Sequence, residues 1–98
     1  KLAEAAAESV SVDFTVRTGS DLFHVEQDVL TAVAPVLEPY AANGRDPIVR
    51  FGGIDASGIS GKAVGFVRSD VAPAVAADAM ARAIATMPWL AGAPAEKG

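Results

Sequence analysis

The spacing of hydrophobic residues changes its period within the first 40 residues of the chain. From residue 10 to residue 16 every second position is hydrophobic, which is the period of a strand that buries one face. After Gly19 the hydrophobic residues follow at helical spacing, so the pattern predicts a helix with one apolar face. That face consists of Leu22, Val25, Val29, Val33, Val36 and Leu37.

The ends of this predicted helix are marked by residues with positional preferences. Ser20 or Thr18 is expected to cap it through a side-chain oxygen, and Asp21 suits the positive end of the helix dipole. Pro35 is expected to kink or loosen the last turn because it lacks a backbone N–H. A loop then follows, with the turn-forming residues Pro39, Asn43, Gly44 and Pro47.

The second half of the chain predicts a hairpin followed by an alanine-rich helix. A strand is expected at 48–54, a turn at 55–61 and a further strand at 62–69. The last of these is apolar on both faces between Ala63 and Val67, as expected for a central strand. The final helix is expected to run from about residue 71 to residue 87.

The resulting order, β-α-β-β-α, predicts an α+β fold. The short link makes the second and third strands an antiparallel hairpin, and the third strand is expected between the other two, with both helices on one face. This is a ferredoxin-like two-layer sandwich of three antiparallel strands that lacks its last strand. We expect a linker at 1–9, the domain at 10–87 and a tail at 88–98. The tail is too rich in Pro, Gly and Ala to supply the missing strand, so the edge at 10–16 is expected to stay open until another segment or a second copy covers it.

Composition excludes several classes of function. The 98 residues carry a net charge of −4 and no cysteine, which excludes disulfides and thiolate chemistry. Nucleic-acid binding is disfavoured because the basic residues are scattered singly. No apolar run approaches the ~18 residues of a membrane span, so this piece is expected to be soluble. The chain begins without methionine and both ends are rich in Ala, Glu, Pro and Gly, so we expect a fragment of a longer protein.

Candidate catalytic chemistry is sparse. His24 is the one histidine, so a zinc site would need carboxylates alone around it, and no serine–histidine–acid triad is specified. The segment 57–63 resembles a phosphate-binding loop only superficially, since Ala56 and Ala63 occupy two of its required positions. Asp13, Arg17, Arg50 and Arg68 are expected to lie on a solvated sheet face with cross-strand pairs. We therefore predict no catalytic, cofactor-binding or metal-binding residue and no enzyme activity.

The order of the segments carries a family resemblance over residues 10–87. The segments are residues 12–16, 19–21, Val25, 48–54, 56–59, 63–67 and 71–87. In this order they resemble the cytoplasmic C-terminal α/β domain of the small-conductance mechanosensitive channels, the MscS family. The chain departs from that family at Gly65 and Phe66, where a tryptophan is frequent, and at 88–98, where the family continues into a strand of a small barrel.

This resemblance implies a structural, ion-filtering and non-catalytic role. Family members form homo-oligomeric rings, typically heptamers, whose cytoplasmic domains enclose a vestibule that admits ions and small osmolytes. The full-length protein would then lie in the cell membrane through segments outside this chain, with this domain on the cytoplasmic side. The alternative is a regulatory small-molecule-binding domain of the ACT-like type on the same scaffold. Its site would use the backbones of Gly52, Gly53 and residues 58–61, and it would dimerise through the open edge.

Overall fold

A computed structural model describes residues 7–91 and shows the predicted α+β arrangement. Its elements are β1 (Ala7–Val16), α1 (Leu22–Leu37), β2 (Ile48–Asp55), β3 (Gly58–Arg68) and α2 (Pro73–Ile84). β3 pairs antiparallel with both other strands, giving the sheet order β1-β3-β2. The predicted fold class, a ferredoxin-like β-α-β-β-α sandwich with its third strand in the centre, is confirmed.

The core lies between one face of the sheet and the two helices. α1 buries Val25, Val29, Val33 and Leu37, which are spaced four residues apart and form a stripe along the helix. The predicted apolar face is therefore confirmed, with Leu22 and Val36 half-buried at its margin. The rest of the core consists of Val10, Phe14, Val16, Ile59, Ala63, Val67, Ala76, Met80 and Ile84.

Glycines in the central strand bring the helices and the aromatic side chains close to the sheet. A Cβ atom at Gly65 would lie 2.6 Å from Leu37 Cδ1 and 3.3 Å from Met80 Sδ, and a Cβ atom at Gly61 would collide with the ring of Phe14. Large side chains from the other elements thus occupy the space above β3. Because these two glycines have no side chain, side chains from the neighbouring elements can pack closely against the centre of the sheet.

The N-cap of α1 differs from the prediction. Asp21, with φ −79° and ψ 108°, is the cap, and its Oδ1 accepts a hydrogen bond of 3.0 Å from the backbone N–H of Phe23. Thr18 and Gly19 instead form a turn, with Gly19 at φ 91° and the Ser20 N–H donating to the Arg17 carbonyl. Because this turn uses the residues before Asp21, the prediction of Ser20 or Thr18 as the cap is wrong.

The hairpin and the second helix are also bounded differently. The turn contains only Ala56 and Ser57, and β3 begins at Gly58 rather than at residue 62. Gly58 has φ 137°, a conformation that favours glycine and lets the chain reverse within two residues. The last helix spans Pro73–Ile84 rather than 71–87, with proline at its first position, where the missing N–H needs no partner. α1 continues through Pro35 to Leu37.

The edge of β1 is partly covered by the chain itself. The Arg17 N–H donates to the Trp89 carbonyl at 2.9 Å, and the Ala91 N–H donates to the Thr15 carbonyl at 2.8 Å. Val16 and Leu90 are antiparallel partners in the same bridge. The prediction that the segment from residue 88 leaves this edge open is therefore wrong for residues 89–91. β1 also begins at Ala7, inside the segment predicted as a linker, while residues 1–6 and 92–98 of the predicted linker and tail lie outside the described residues.

Replacing the observed cap gives a direct test of this helix start. Asp21→Ala is expected to lower the melting temperature by roughly 3–6 °C, because the first turn of α1 loses its acceptor. Ser20→Ala is the matched control and should change the melting temperature by less than about 1 °C.

The pKa of Asp21 is lowered from 3.8, chiefly by its hydrogen bond with His24. A lowered folded-state pKa means that the stabilisation is present above pH 3.8 and is lost as the pH falls through the folded value, so melting curves of Asp21→Ala and the parent chain should converge in acid. Equal losses from both substitutions at neutral pH would contradict the assignment.

Candidate functional site

The face of the sheet opposite the helices carries polar and basic side chains. Successive residues of a strand point to opposite faces, so the positions between the buried residues lie on this side. We call it the open face. It is formed by Ser9, Ser11, Asp13, Thr15, Ile48, Arg50, Gly52, Ser60, Lys62, Val64, Phe66 and Arg68. Each of these residues is exposed or half-buried, so the open face is available for contact with a ligand or partner.

Three charged residues form a row across the open face. Lys62 in the central strand lies directly opposite Asp13 on one side and Arg50 on the other. Lys62 Nζ is 3.8 Å from Asp13 Oδ1, and the two side chains are 51% and 81% exposed, so this ion pair contributes little stability. Like charges directly opposite one another, as in Arg50 and Lys62, destabilise a sheet. The row of Asp13, Lys62 and Arg50 therefore has a net charge of about +1. The contact between Arg50 and Lys62 does not stabilise the pairing of β2 with β3.

A second row, next to the first, combines hydroxyl groups with an irregular backbone. Thr15 lies opposite Ser60, and a bulge in β2 places both Gly52 and Gly53 against Ser60. A Cβ atom at Gly52 would lie 2.5 Å from Ser60 Oγ, so a larger residue there would require the Ser60 hydroxyl to move. Bulges interrupt the hydrogen-bond ladder and are frequent near binding sites. Hydroxyl and backbone groups thus lie beside the two cations.

These two rows line an open depression at the hairpin end of the open face. Its volume is about 560 Å³. Its lining consists of Asp13, Phe14, Thr15, Arg50, Phe51, Gly52, Ser60, Gly61 and Lys62. The depression therefore combines two cationic side chains, one carboxylate and two hydroxyls. The expected solvated sheet face is present and carries Asp13, Arg50 and Arg68, whereas Arg17 lies one residue beyond the end of β1. The face is concave at the hairpin end.

The other end of the open face is more apolar, and two arginines there contact β3 and the loop after α1. The Arg45 guanidinium lies 4.7 Å from the centre of the Phe66 ring, a cation–π contact. Arg68 Nη1 donates to the Pro39 carbonyl at 3.0 Å, and the Ala42 N–H donates to the Phe66 carbonyl at 2.9 Å. These contacts attach the loop after α1 to β3. Both arginines thus have a structural role here.

The fold gathers basic residues that are scattered along the sequence. Arg45, Arg50, Lys62 and Arg68 meet on or beside the open face, whereas five of the ten acidic residues between residues 7 and 91 lie in the helical layer. The acidic residues of the helical layer are Asp21, Glu26, Asp28, Glu38 and Asp78. Lys62 was not predicted as a site residue, because its place opposite Arg50 depends on the register of the hairpin. The Gly52–Gly53 pair was the signal for the bulge that brings Lys62 opposite Arg50.

His24 lies in the helical layer and not at the depression. Its Nδ1 is 2.8 Å from Asp21 Oδ2 in the first turn of α1, and its side chain is 76% exposed. Within residues 7–91, no group of three or more His, Cys, Asp or Glu side chains is arranged to hold a metal ion. His24 thus contacts the carboxylate that caps α1 and is separate from the depression on the open face.

The segment compared with a phosphate-binding loop forms the tight hairpin turn. Asp55 Oδ1 accepts hydrogen bonds from Ser57 Oγ at 2.6 Å and from the Ser57 N–H at 2.8 Å, and these bonds lower the pKa of Asp55. Of the glycines named for the alternative ligand site, Gly52 and Gly61 line the depression. Gly58 does not, since it is buried against the Val16 carbonyl.

The fold and this surface together define a small α+β sandwich with one helical, acidic layer and one open, basic sheet face. No protein-family model matches the chain, and no curated protein matches it. In the part of the chain that the structure describes, neither helix is long and apolar enough to cross a membrane.

Proposed function

We propose that this chain is a wall domain of the cytoplasmic vestibule of a mechanosensitive ion channel of the MscS type. Its role is structural and ion-filtering, without catalysis. The observation that carries the proposal is the order of the segments that resemble that family. The strand, the break and the following helix fall on β1, residues 19–21 and α1, and the later segments fall on β2, the hairpin turn, β3 and α2.

The surfaces of the domain suit a part that contacts neighbours and passing ions. The outer edge of β1 is paired only near Val16 among the described residues, and the open face is not covered by a helix. In the proposed ring, homo-oligomeric as the resemblance implies and typically heptameric, these surfaces face adjacent subunits or the vestibule. Because the open face is basic and the helical layer acidic, the face that lines the vestibule sets which ions and small osmolytes accumulate there.

The full-length protein provides the test of this function. Reconstituted in liposomes, it is expected to give currents that open under membrane tension and to form a ring by native mass measurement in detergent. Phe14→Ala removes a buried ring of this domain and is expected to reduce the number of assembled channels strongly, because a destabilised wall domain joins the ring less often. Phe23→Ala, which alters an exposed side chain, is the matched control and should leave the currents intact.

Two results would contradict the channel proposal. One is an inserted full-length protein that gives no current at any tension below membrane rupture. The other is a complete sequence without an apolar span of roughly 20 residues.

A second candidate, the regulatory small-molecule-binding domain, is favoured by one observation. The depression brings Gly52 and Gly61 together with Arg50 and Lys62 at the hairpin end of the sheet, which is where that alternative expects its ligand. A ligand that binds only the folded chain raises its melting temperature, so a screen of amino acids and nucleotides distinguishes the two functions. A saturable rise with one amino acid or nucleotide, and not with phosphate or acetate alone, favours the regulatory domain.

A further inference from the structure

We propose that the depression at the hairpin end of the open face binds a small oxyanion, a phosphate or carboxylate group held between Arg50 and Lys62. The inference does not rest on the channel function, and it names the chemical class of ligand for the depression that the second candidate function also uses. It follows from three features of the depression: an unbalanced pair of cations, a set of hydrogen-bond donors beside them, and the space left by a glycine.

The cations are the first feature. Arg50 and Lys62 face each other across paired strands, and their repulsion opposes the pairing. Asp13 lies 3.8 Å from Lys62, and within residues 7–91 Arg50 forms no ion pair. An oxyanion between the two side chains would contact both cations and offset their repulsion. The attraction of the oxyanion would be stronger than to either cation alone, because both positive charges act on the same group.

The donors are the second feature. The guanidinium of Arg50 offers a planar pair of N–H groups that matches two oxygens of a phosphate or carboxylate, and Lys62 contributes a mobile ammonium. Ser60 supplies a hydroxyl in the adjacent row. The bulge at Gly52 and Gly53 interrupts the ladder beside Ser60 and so leaves backbone polar groups unpaired next to this hydroxyl.

The space above Gly52 is the third feature. A Cβ atom there would lie 2.5 Å from Ser60 Oγ, so a larger residue would displace this hydroxyl and occupy part of the depression. Glycine therefore keeps the hydroxyl and the bulged backbone accessible to a ligand of a few atoms. Since the depression is open and its charged side chains are exposed, we expect fast exchange and a dissociation constant on the order of millimolar.

The test is a titration of the ¹⁵N-labelled chain followed by amide chemical shifts. Sodium phosphate is added at pH 7 and constant ionic strength, with sodium acetate and sodium chloride as parallel titrations. Phosphate or acetate is expected to shift the amides of Gly52, Gly53, Ser60, Gly61 and Lys62 in a saturable manner. The double variant Arg50→Gln/Lys62→Gln is expected to weaken binding at least about tenfold.

Two further variants make the test specific to this arrangement. Arg82→Gln is the matched control, because its guanidinium pairs with Asp78 at 2.8 Å on α2 and should leave the titration unchanged. Asp13→Asn removes the carboxylate that competes for Lys62, so it is expected to tighten binding by about two- to fivefold. Circular dichroism melting of each variant establishes that it is folded at the titration temperature.

The outcomes distinguish a phosphoryl group from a carboxylate, and they also include results that would overturn the proposal. Tighter binding of phosphate than of acetate assigns a phosphoryl group, and the reverse assigns a carboxylate; both support the site. The proposal is overturned by an absence of saturable shifts at the hairpin amides, by equal shifts with chloride, or by binding that the folded Arg50→Gln/Lys62→Gln variant retains. None of these results bears on tension-activated currents of the full-length protein.

Discussion

Phe14→Ala is expected to lower the free energy of unfolding by about 3–5 kcal/mol. The Phe14 side chain is buried, its ring stands edge-on to Phe51 with 6.4 Å between centroids, and it lies 5.6 Å from the ring of Trp89. It also covers Gly61, where a Cβ atom would collide with it. Truncation therefore leaves a cavity over the centre of the sheet and removes two aromatic contacts. Urea unfolding followed by circular dichroism measures the loss.

Phe23→Ala is the matched control for this experiment. The Phe23 side chain is 66% exposed on the first turn of α1, and its aromatic neighbour is the ring of His24. We expect a change within about 0.5 kcal/mol, since little apolar area returns to water. Similar losses from the two substitutions would show that the aromatic cluster around Phe14 is not packed as described.

Gly58→Ala is expected to destabilise the chain by about 2–4 kcal/mol. Gly58 has φ 137°, which L side chains rarely adopt. A Cβ atom there would also collide with the Val16 carbonyl oxygen and lie 3.0 Å from Thr15 Cγ2. Because the obstacle is backbone of a paired strand, it cannot rotate away as the end of a side chain could. The hairpin would have to open where β3 begins.

Gly53→Ala tests whether this cost is specific to Gly58. Gly53 belongs to the same hairpin, has no positive φ, and has open space where a Cβ atom would lie. The substitution is expected to change stability by less than about 0.5 kcal/mol, as at other exposed positions. Thermal and urea unfolding of both variants give the comparison. A neutral Gly58→Ala would contradict the described turn.

The order of the elements and the sheet could be predicted because their signals are local. Alternation over 10–16 identifies a half-buried strand, and the four-residue spacing from Val25 to Leu37 identifies the buried stripe of α1. A short hairpin link and a right-handed crossover then leave few possible topologies. The central position of β3 followed from these rules, without knowledge of any side-chain contact.

The candidate site could not be predicted because it depends on register. At the hairpin turn Asp55 lies opposite Gly58, but beyond the bulge Arg50 lies opposite Lys62. Continuing the turn register without a bulge would place Arg50 opposite Ala63, with Lys62 on the other face. One extra residue at Gly52 or Gly53 therefore decides whether the two cations meet. Hydrophobic periodicity alone does not locate such an insertion.

The covering of the β1 edge was missed because it depends on one long-range contact. Pro88, Ala91 and Gly92 give the segment a loop-like composition, yet Trp89 places its ring against Phe14 and donates Nε1–H to Asp28 Oδ2 at 2.9 Å. Packing of this one large side chain holds residues 89–91 beside β1. The sole tryptophan of the chain was the available signal, since so large a side chain is usually buried in part.

The bulge in β2 also constrains how the length of this hairpin can change. If one residue is added or removed at Gly52 or Gly53, every side chain of residues 48–51 moves to the opposite face of the sheet. Val49 and Phe51 would then turn towards water, and Arg50 would turn towards the helices. Length changes of two residues preserve the faces, whereas changes of one reverse them. Related sequences with this fold should therefore differ in length here by even numbers of residues.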